Sequence, residues 1–245
     1  MSIYDDLIKH KILINKYSKS QARSYLADLK EIKKAVKYHI EKSGVTSSKS
    51  LKESLKNGVE AITKAQINKL QTFYDYEQKF AVKLFNKHSD QEVLNTLSVT
   101  RKDISALDVP FSLFKAPVSV EDAYTSYTNK VIDKTFRLVS DAEVNGTSKT
   151  DLLASINDLY NGLVKTQSDS LALNLINGVS GMVREDIIND NPQLDMNQVT
   201  WVSVLDSTTC SYCEDLDGQV FDIDDAPDWP AHVNCNCELV PTNDN

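Results

Sequence analysis

The sequence is poor in glycine and proline, with seven and six of these residues among 245. Because both residues mark tight turns, their scarcity favours long helices over a turn-rich β fold. No run of 18 apolar residues occurs, and the opening stretch MSIYDDLIKHK lacks the apolar core of a secretory signal. We therefore expect a protein with no membrane partner that is made and kept in the cytosol.

Several catalytic signatures are also missing. The chain has no glycine-rich phosphate loop and no serine nucleophile elbow. Nucleobase deaminases need His-x-Glu before their Cys pair, whereas His232 follows the C-x2-C pair and has Asn234 two positions on. A thioredoxin-like site would need a βαβ unit, and an HNH-type nuclease a second nearby histidine. We therefore expect no enzyme, no catalytic residue and no small-molecule substrate.

Positive charge is missing from the C-terminal end, because residues 201–245 contain ten acidic residues and no Lys or Arg. Residues 1–102 carry 20 Lys or Arg against 11 Asp or Glu, whereas residues 103–245 carry 7 against 24. The basic half is thus the part that could contact nucleic acid or another acidic surface. Its lysines are spread along the chain, which is also typical of ordinary solvated helix faces.

Two long amphipathic helices are predicted in the basic half. One runs from about Tyr4 to Ile40 and the other from about Leu51 to His88, with Gly44 and several serines between them. The short polar loop predicts an antiparallel helical hairpin over residues 1–100. The stripe that should pack in the first helix consists of Ala22, Tyr25, Leu29, Ile32, Val36 and Ile40.

Residues 101–120 lose this periodicity and contain two prolines, so an extended connector is predicted there. Helical signals return over residues 121–198, the predicted second helical domain. Ser119 is a helix start and Asn145-Gly146 its stop, and Thr150 could cap the next helix. A further helix is predicted from about Asp169 to residue 189, ended by Asn191-Pro192.

Short strands are predicted from residue 199 onward. The stretch VTWVSVLD alternates apolar and polar residues, LDGQVF contains the Asp-Gly pair typical of hairpins, and CELVP can form a last strand. The predicted fold is therefore mainly α, with long antiparallel helices and a small C-terminal β-hairpin module over residues 199–245. This module is similar to a zinc knuckle.

All four cysteines lie in this module. Cys210 and Cys213 form C-x2-C, and His232, Cys235 and Cys237 follow after 18 intervening residues. Structural zinc takes four ligands, so the set is either all four cysteines or the C-x2-C pair with His232 and one later cysteine. The acidic surroundings favour the set with His232, which carries less negative charge. Two disulfides or four free thiols are the alternatives.

The same block resembles the C-terminal signature of tailed-phage head morphogenesis proteins, the Mu F-like minor head proteins. The resemblance covers residues 165–241 and includes the helix LALNLINGVSGMVREDII. Family members usually have an arginine where this chain has Asn236, so a phosphate or acidic-partner contact at that position is not expected. The signature residues are Trp201, Asp206, Cys210, Cys213, Gly218, Phe221, Pro230, His232, Cys235, Cys237 and Pro241.

The resemblance implies a minor virion structural protein that acts in procapsid assembly, portal association, and genome packaging or delivery. Its partners would be the portal or major capsid protein, and packaged DNA could contact the basic half. It would lie at the capsid interior or portal vertex after assembly in the host cytoplasm. Trp201 and Phe221 would form the core of the module, and Asp206 would cap its amides.

The alternative hypothesis is a zinc-stapled DNA-binding regulatory protein with basic helices. The acidic C-terminal module argues against it, because a zinc module without Lys or Arg cannot hold a phosphate backbone.

Overall fold

The computed structural model describes residues 3–46, 48–88, 97–109, 118–205, 207, 209–232 and 234–242. Residues 110–117 of the predicted connector and Asp206 lie outside these residues. Within the described ranges, no helix offers an apolar stretch long enough to span a bilayer. The division into domains at residues 100, 120 and 198 stays a prediction.

Helices dominate the described chain, which confirms the predicted mainly α fold. A π-helical turn, Tyr160–Val164, joins the fourth helix to the fifth without a break. The helices are α1 (Ile3–Ser43), α2 (Lys49–His88), α3 (Val120–Asn145), α4 (Lys149–Leu159), α5 (Lys165–Asp190) and α6 (Ser211–Leu216). The strands are β1 (Asp108–Val109), β2 (Val118–Ser119), β3 (Gln198–Val202), β4 (Val220–Asp222) and β5 (Glu238–Thr242).

The first two helices pack antiparallel, as the short loop between them predicts. The start of α1 lies against the end of α2, where Leu7 shares an apolar cluster with Leu84. Further along, the amide of Gln66 donates to the Asp28 carboxylate. All six residues of the predicted α1 stripe are buried. Helix α5 packs against both members of this hairpin and is buried around most of its circumference, as expected of a central helix.

The helix ends follow the predicted capping chemistry with two differences. Ser119 caps α3 by accepting from the amide of Asp122, and Gly146 ends it in the left-handed conformation with φ of 64°. The N-cap of α4 is Ser148 and not Thr150, because the Ser148 hydroxyl accepts from the Asp151 amide. Helix α5 begins before the predicted start, since the π-helical turn continues α4 into it.

The C-terminal strands form an antiparallel sheet of order β4-β3-β5, so β3 lies in the centre. The predicted hairpin differs in one respect: α6, and not a strand, precedes the Asp217-Gly218 turn. The Gly218 amide donates to the carbonyl of Trp201, which returns the chain to pair as β4. The sheet reaches the helical hairpin through Val202 and Val240, which pack with the Leu7 and Leu84 cluster.

Candidate metal centre

The C-x2-C pair lies at the start of α6. Cys210 is the residue before the helix and Cys213 lies in its first turn, where the Glu214 amide donates to the Cys210 carbonyl. The second set of candidate ligands lies on the segment that leads into β5. There the Cys235 amide donates to the carbonyl of His232 and closes a turn. Two local turns, far apart in sequence, therefore face each other.

The structure brings all five predicted ligands together in two groups of three. Cys210, Cys213 and His232 form one group, and Cys213, Cys235 and Cys237 form the other, with donor atoms within 4.8 Å of one another in each. His232 Nε2 lies 3.1 Å from Cys210 Sγ and 3.3 Å from Cys213 Sγ. Cys213 Sγ lies 3.9 Å from Cys235 Sγ. Cys213, shared by both groups, is the centre of the cluster.

The donor types and the Cys213–Cys235 spacing fit zinc coordination, although the donor atoms form groups of three and not one group of four. With Zn–S bonds of 2.3 Å, two thiolates on one ion are separated by about 3.8 Å. The Cys213 and Cys235 sulfurs have nearly this spacing. Thiolate and imidazole ligands are also those that zinc prefers over carboxylate or carbonyl oxygens. The cluster could therefore hold a metal ion, and the identity of its four ligands stays a prediction.

Cys235 and Cys237 differ in their surroundings. The Cys237 thiol donates to the Cys235 sulfur and, despite burial, lowers the pKa of Cys235 to about 5. The same contact, together with burial, raises the pKa of Cys237 well above its ordinary value. Cys237 Sγ also lies 3.2 Å from Ser203 Oγ, which donates to the Cys213 carbonyl at 2.6 Å. Cys237 is thus the cysteine that contacts Ser203 at the inner side of the cluster.

Burial affects the C-x2-C pair unequally. Desolvation raises the pKa of Cys213 to about 12. The pKa of Cys210 is lowered, chiefly because its sulfur accepts from the Cys213 amide, with His232 adding to the effect. Cys210 is also the less buried of the two. Cys210 and His232 therefore form the more exposed side of the cluster.

The backbone around the later cysteines is anchored to the helices. Asn177 of α5 donates to the Cys235 carbonyl at 2.9 Å. The Cys237 carbonyl accepts from Trp229 Nε1 at 2.9 Å and from Lys11 Nζ at 3.3 Å. The ring of Trp229 lies over Gly181 of α5, where an added Cβ would be 2.2 Å from Cζ3. These contacts fix the position of the cluster relative to α1 and α5.

Beside the cluster lies a buried group of charged residues, here called the polar junction: His10, Lys11, Glu77, Arg184 and Glu238. None is more than 3% exposed. The Lys11 ammonium lies 3.3 Å and the Arg184 guanidinium 3.1 Å from the Glu238 carboxylate. His10 Nε2 lies 2.7 Å from Glu77 Oε1. The junction connects α1, α2 and α5 to β5.

Charge pairing favours the ionised form of Glu238. Burial alone would raise the pKa of Glu238, but the charges of Arg184 and Lys11 outweigh it and the pKa is lowered. Ser180 links Glu77 to Arg184, since it donates to Glu77 at 2.7 Å and accepts from Arg184 at 2.9 Å. The sequence patterns did not reveal this group. Its signal was the pair His10 and Lys11 between Leu7 and Ile14, on the buried face of α1.

The predicted module core is confirmed in part. Trp201 is fully buried and packs with Cys213, Cys235 and Cys237. Phe221 is only half-buried and packs at the margin of that cluster.

Fold and site together define a mainly helical protein that ends in a small sheet carrying a Cys/His cluster. Residues 136–240 match the family described as phage Mu protein F like protein. The predicted resemblance to tailed-phage head morphogenesis proteins is therefore confirmed over somewhat less than half of the chain, and the match supports a phage head-related protein. No curated protein and no solved structure matches the chain significantly.

Proposed function

We propose that the protein is a minor virion structural protein of a tailed phage and acts in head morphogenesis. The observation that carries this proposal is the family match over residues 136–240, which encloses all five Cys/His donors. Its partners would be other virion proteins, namely the portal or the major capsid protein. It would occupy the capsid interior or the portal vertex, where the basic half could contact packaged DNA through phosphates.

In this role the cluster would bind one zinc ion through Cys210, Cys213, His232 and Cys235. Cys235 is preferred to Cys237 because its sulfur is 3.9 Å from Cys213, whereas Cys237 contacts Ser203. Cys237 would then donate to a ligand sulfur. Such outer contacts orient ligands and tune the charge of a metal site.

The proposed role of the zinc is structural and not catalytic. A catalytic zinc keeps one position open for water or substrate, whereas five candidate donors, in two groups of three that share Cys213, are available here for four positions. Three of the four thiols are also buried, at 3% exposure or less. We therefore propose that the metal holds α6 and the segment before β5 together so that the sheet can form.

Metal content tests the zinc proposal. Protein purified under reducing conditions without chelator should contain about one zinc per chain by mass spectrometry. His232→Ala and Cys235→Ser should lose most of it, and the matched variant Cys237→Ser should keep it. If Cys235→Ser kept its zinc and Cys237→Ser lost it, the fourth ligand would be Cys237 and not Cys235. Folded, metal-free wild-type protein would refute the zinc site.

Particle composition tests the virion proposal separately. Purified phage heads that carry this gene should contain the protein at a low ratio to the major capsid protein, measured by quantitative mass spectrometry. Heads made without it should form or package DNA poorly. Absence of the protein from intact particles, together with duplex binding that falls steeply with salt, would instead indicate the regulatory protein.

A further inference from the structure

A surface groove between α1 and α2 lacks a covering element among the described residues. It encloses about 410 Å³ and is lined mainly by apolar and aromatic side chains. Two of these are unusually exposed for their type, Leu13 at 54% and Tyr76 at 51%. Exposed apolar surface of this kind commonly marks a protein interaction site. We call it the α1–α2 groove.

Two exposed lysines, Lys16 and Lys79, flank the α1–α2 groove without lining it. Lys16 follows Leu13 by three positions and Lys79 follows Tyr76 by three, so each lysine lies on the same helix face as the exposed apolar residue. Both lysines are exposed, and neither forms a salt bridge with a described residue. An occupant of the groove should therefore combine an apolar side chain with nearby carboxylates.

The opposite combination occurs at the edge of the C-terminal sheet. Strand β4 is an outer strand, and no further described strand pairs with it. Val220 is 54% and Ile223 is 43% exposed. The exposed carboxylates of Asp222, Asp224 and Asp225 lie beside them, the last two with Ile223 in a short 3-10 helix that directly follows β4. We call these residues, 220–225, the β4 edge.

The two surfaces are complementary in charge and both expose apolar side chains. Because both are exposed in the same molecule, they do not cover each other within one chain. We propose that the β4 edge of one copy docks in the α1–α2 groove of a second copy. The contact joins two different surfaces, so each pair retains one free groove and one free edge, and association continues to a ring or a short filament.

This proposal does not depend on zinc being the metal or on the role in head assembly. Both surfaces are small compared with the roughly 800 Å² per partner of a stable interface, so the association should be weak. It should also weaken as salt rises, since exposed charges contribute to it.

Sedimentation velocity over a concentration series from roughly 1 to 500 μM tests the proposal. The wild-type protein should sediment faster as its concentration rises. A groove variant, Lys16→Glu with Lys79→Glu, and an edge variant, Asp222→Lys with Asp224→Lys, should each associate at least about tenfold more weakly, because like charges then face each other. Circular dichroism should show that both variants are folded.

Mixing the two variants provides the decisive measurement. The acidic groove of one then faces the basic edge of the other, so the mixture should associate although each variant alone does not. The control Lys30→Glu with Lys64→Glu changes the same net charge on α1 and α2 away from the groove and should associate like the wild type. Monomeric wild type at all concentrations, or a mixture that stays monomeric, would overturn the proposal.

Discussion

The interior of the helical bundle and the polar junction are equally buried but differ in chemistry. The bundle interior is formed by aliphatic and aromatic side chains such as Leu29, Val36 and Phe85, each 0% exposed. The polar junction places Glu77, Glu238, Lys11 and Arg184 at similar depth, with His10 beside them. The first region stabilises by excluding water, whereas the second must first compensate for dehydrating its charges.

This difference in chemistry indicates what each region contributes to the fold. Apolar side chains tolerate small shifts, because one methyl contact can replace another. A buried carboxylate needs its partner at hydrogen-bond distance. Lys11 and Glu238, separated by 227 positions, meet at 3.3 Å only when α1 and β5 have one particular alignment. We infer that the polar junction sets the position of the Cys/His module on the helices, while the apolar interior supplies most of the stability.

Removal of one cation from the polar junction should have the largest effect. Arg184→Met leaves Glu77 and Glu238 with fewer compensating charges in a dry environment, and should lower the free energy of unfolding by about 3–5 kcal/mol. The matched control on the same helix is Lys165→Met, which breaks an exposed ion pair with Asp169 and should cost at most about 0.5 kcal/mol. Urea denaturation measures both. Equal losses of unfolding free energy in the two variants would show that Arg184 contributes no more to stability than an exposed ion pair does.

Truncation in the apolar interior should have a somewhat smaller effect. Leu29→Ala removes a fully buried side chain from α1 and should cost about 3 kcal/mol through lost burial and the cavity left behind. Leu163→Ala is the control, because Leu163 is 40% exposed, and should cost less than about 1 kcal/mol. Leu29→Ala should also leave the metal content unchanged, whereas Arg184→Met should reduce it. Metal loss in Leu29→Ala would contradict the division between the two regions.

Much of the bundle could be predicted because helical periodicity is local. The α1 stripe, the Ser119 cap and the Gly146 stop each depend on residues within a few positions of one another. The Cys/His donors could be predicted for the same reason, since C-x2-C and the later cysteines have recognisable spacing. Thr150 was the wrong cap because Ser148, two residues earlier, offers the same hydroxyl chemistry.

The polar junction and α6 could not be predicted in this way. The junction depends on pairs far apart in sequence, whose proximity follows from the packing of α1 against α5 and β5. Helix α6 is only six residues long, and the Asp-Gly pair beside it gives the usual signal of a hairpin. Sequence patterns identify which residues are unusual, but long-range packing decides which of them meet.

Adding a methyl group at Gly181, where α5 touches the Trp229 ring, should lower the stability of the protein moderately. In Gly181→Ala the new methyl would overlap the Trp229 ring, whose Cζ3 is 2.2 Å from that position, so the ring must move at a cost of about 1–3 kcal/mol. Gly58→Ala in α2 is the control because its Cβ position is open, and it should stabilise by about 0.5–1 kcal/mol. Thermal unfolding measures the loss of stability in Gly181→Ala and the gain in Gly58→Ala. Stabilisation by Gly181→Ala would mean that Trp229 does not anchor the module there.

The smallest effect is expected at an ion pair outside both regions, where the start of α1 meets the end of α2. The hydrogen bond from Lys87, assisted by His88, lowers the pKa of Asp6 to about 2. Because the pKa of Asp6 is lower in the folded than in the unfolded state, its ionised carboxylate stabilises the fold above pH about 3.9, the ordinary pKa of an aspartate. This contribution is lost as the pH falls toward 2. Lys87→Met should raise the pKa of Asp6, and Lys83→Met, the exposed control, should not. NMR titration of the Asp6 carboxyl measures this, and an unchanged pKa in Lys87→Met would assign the shift to His88 instead.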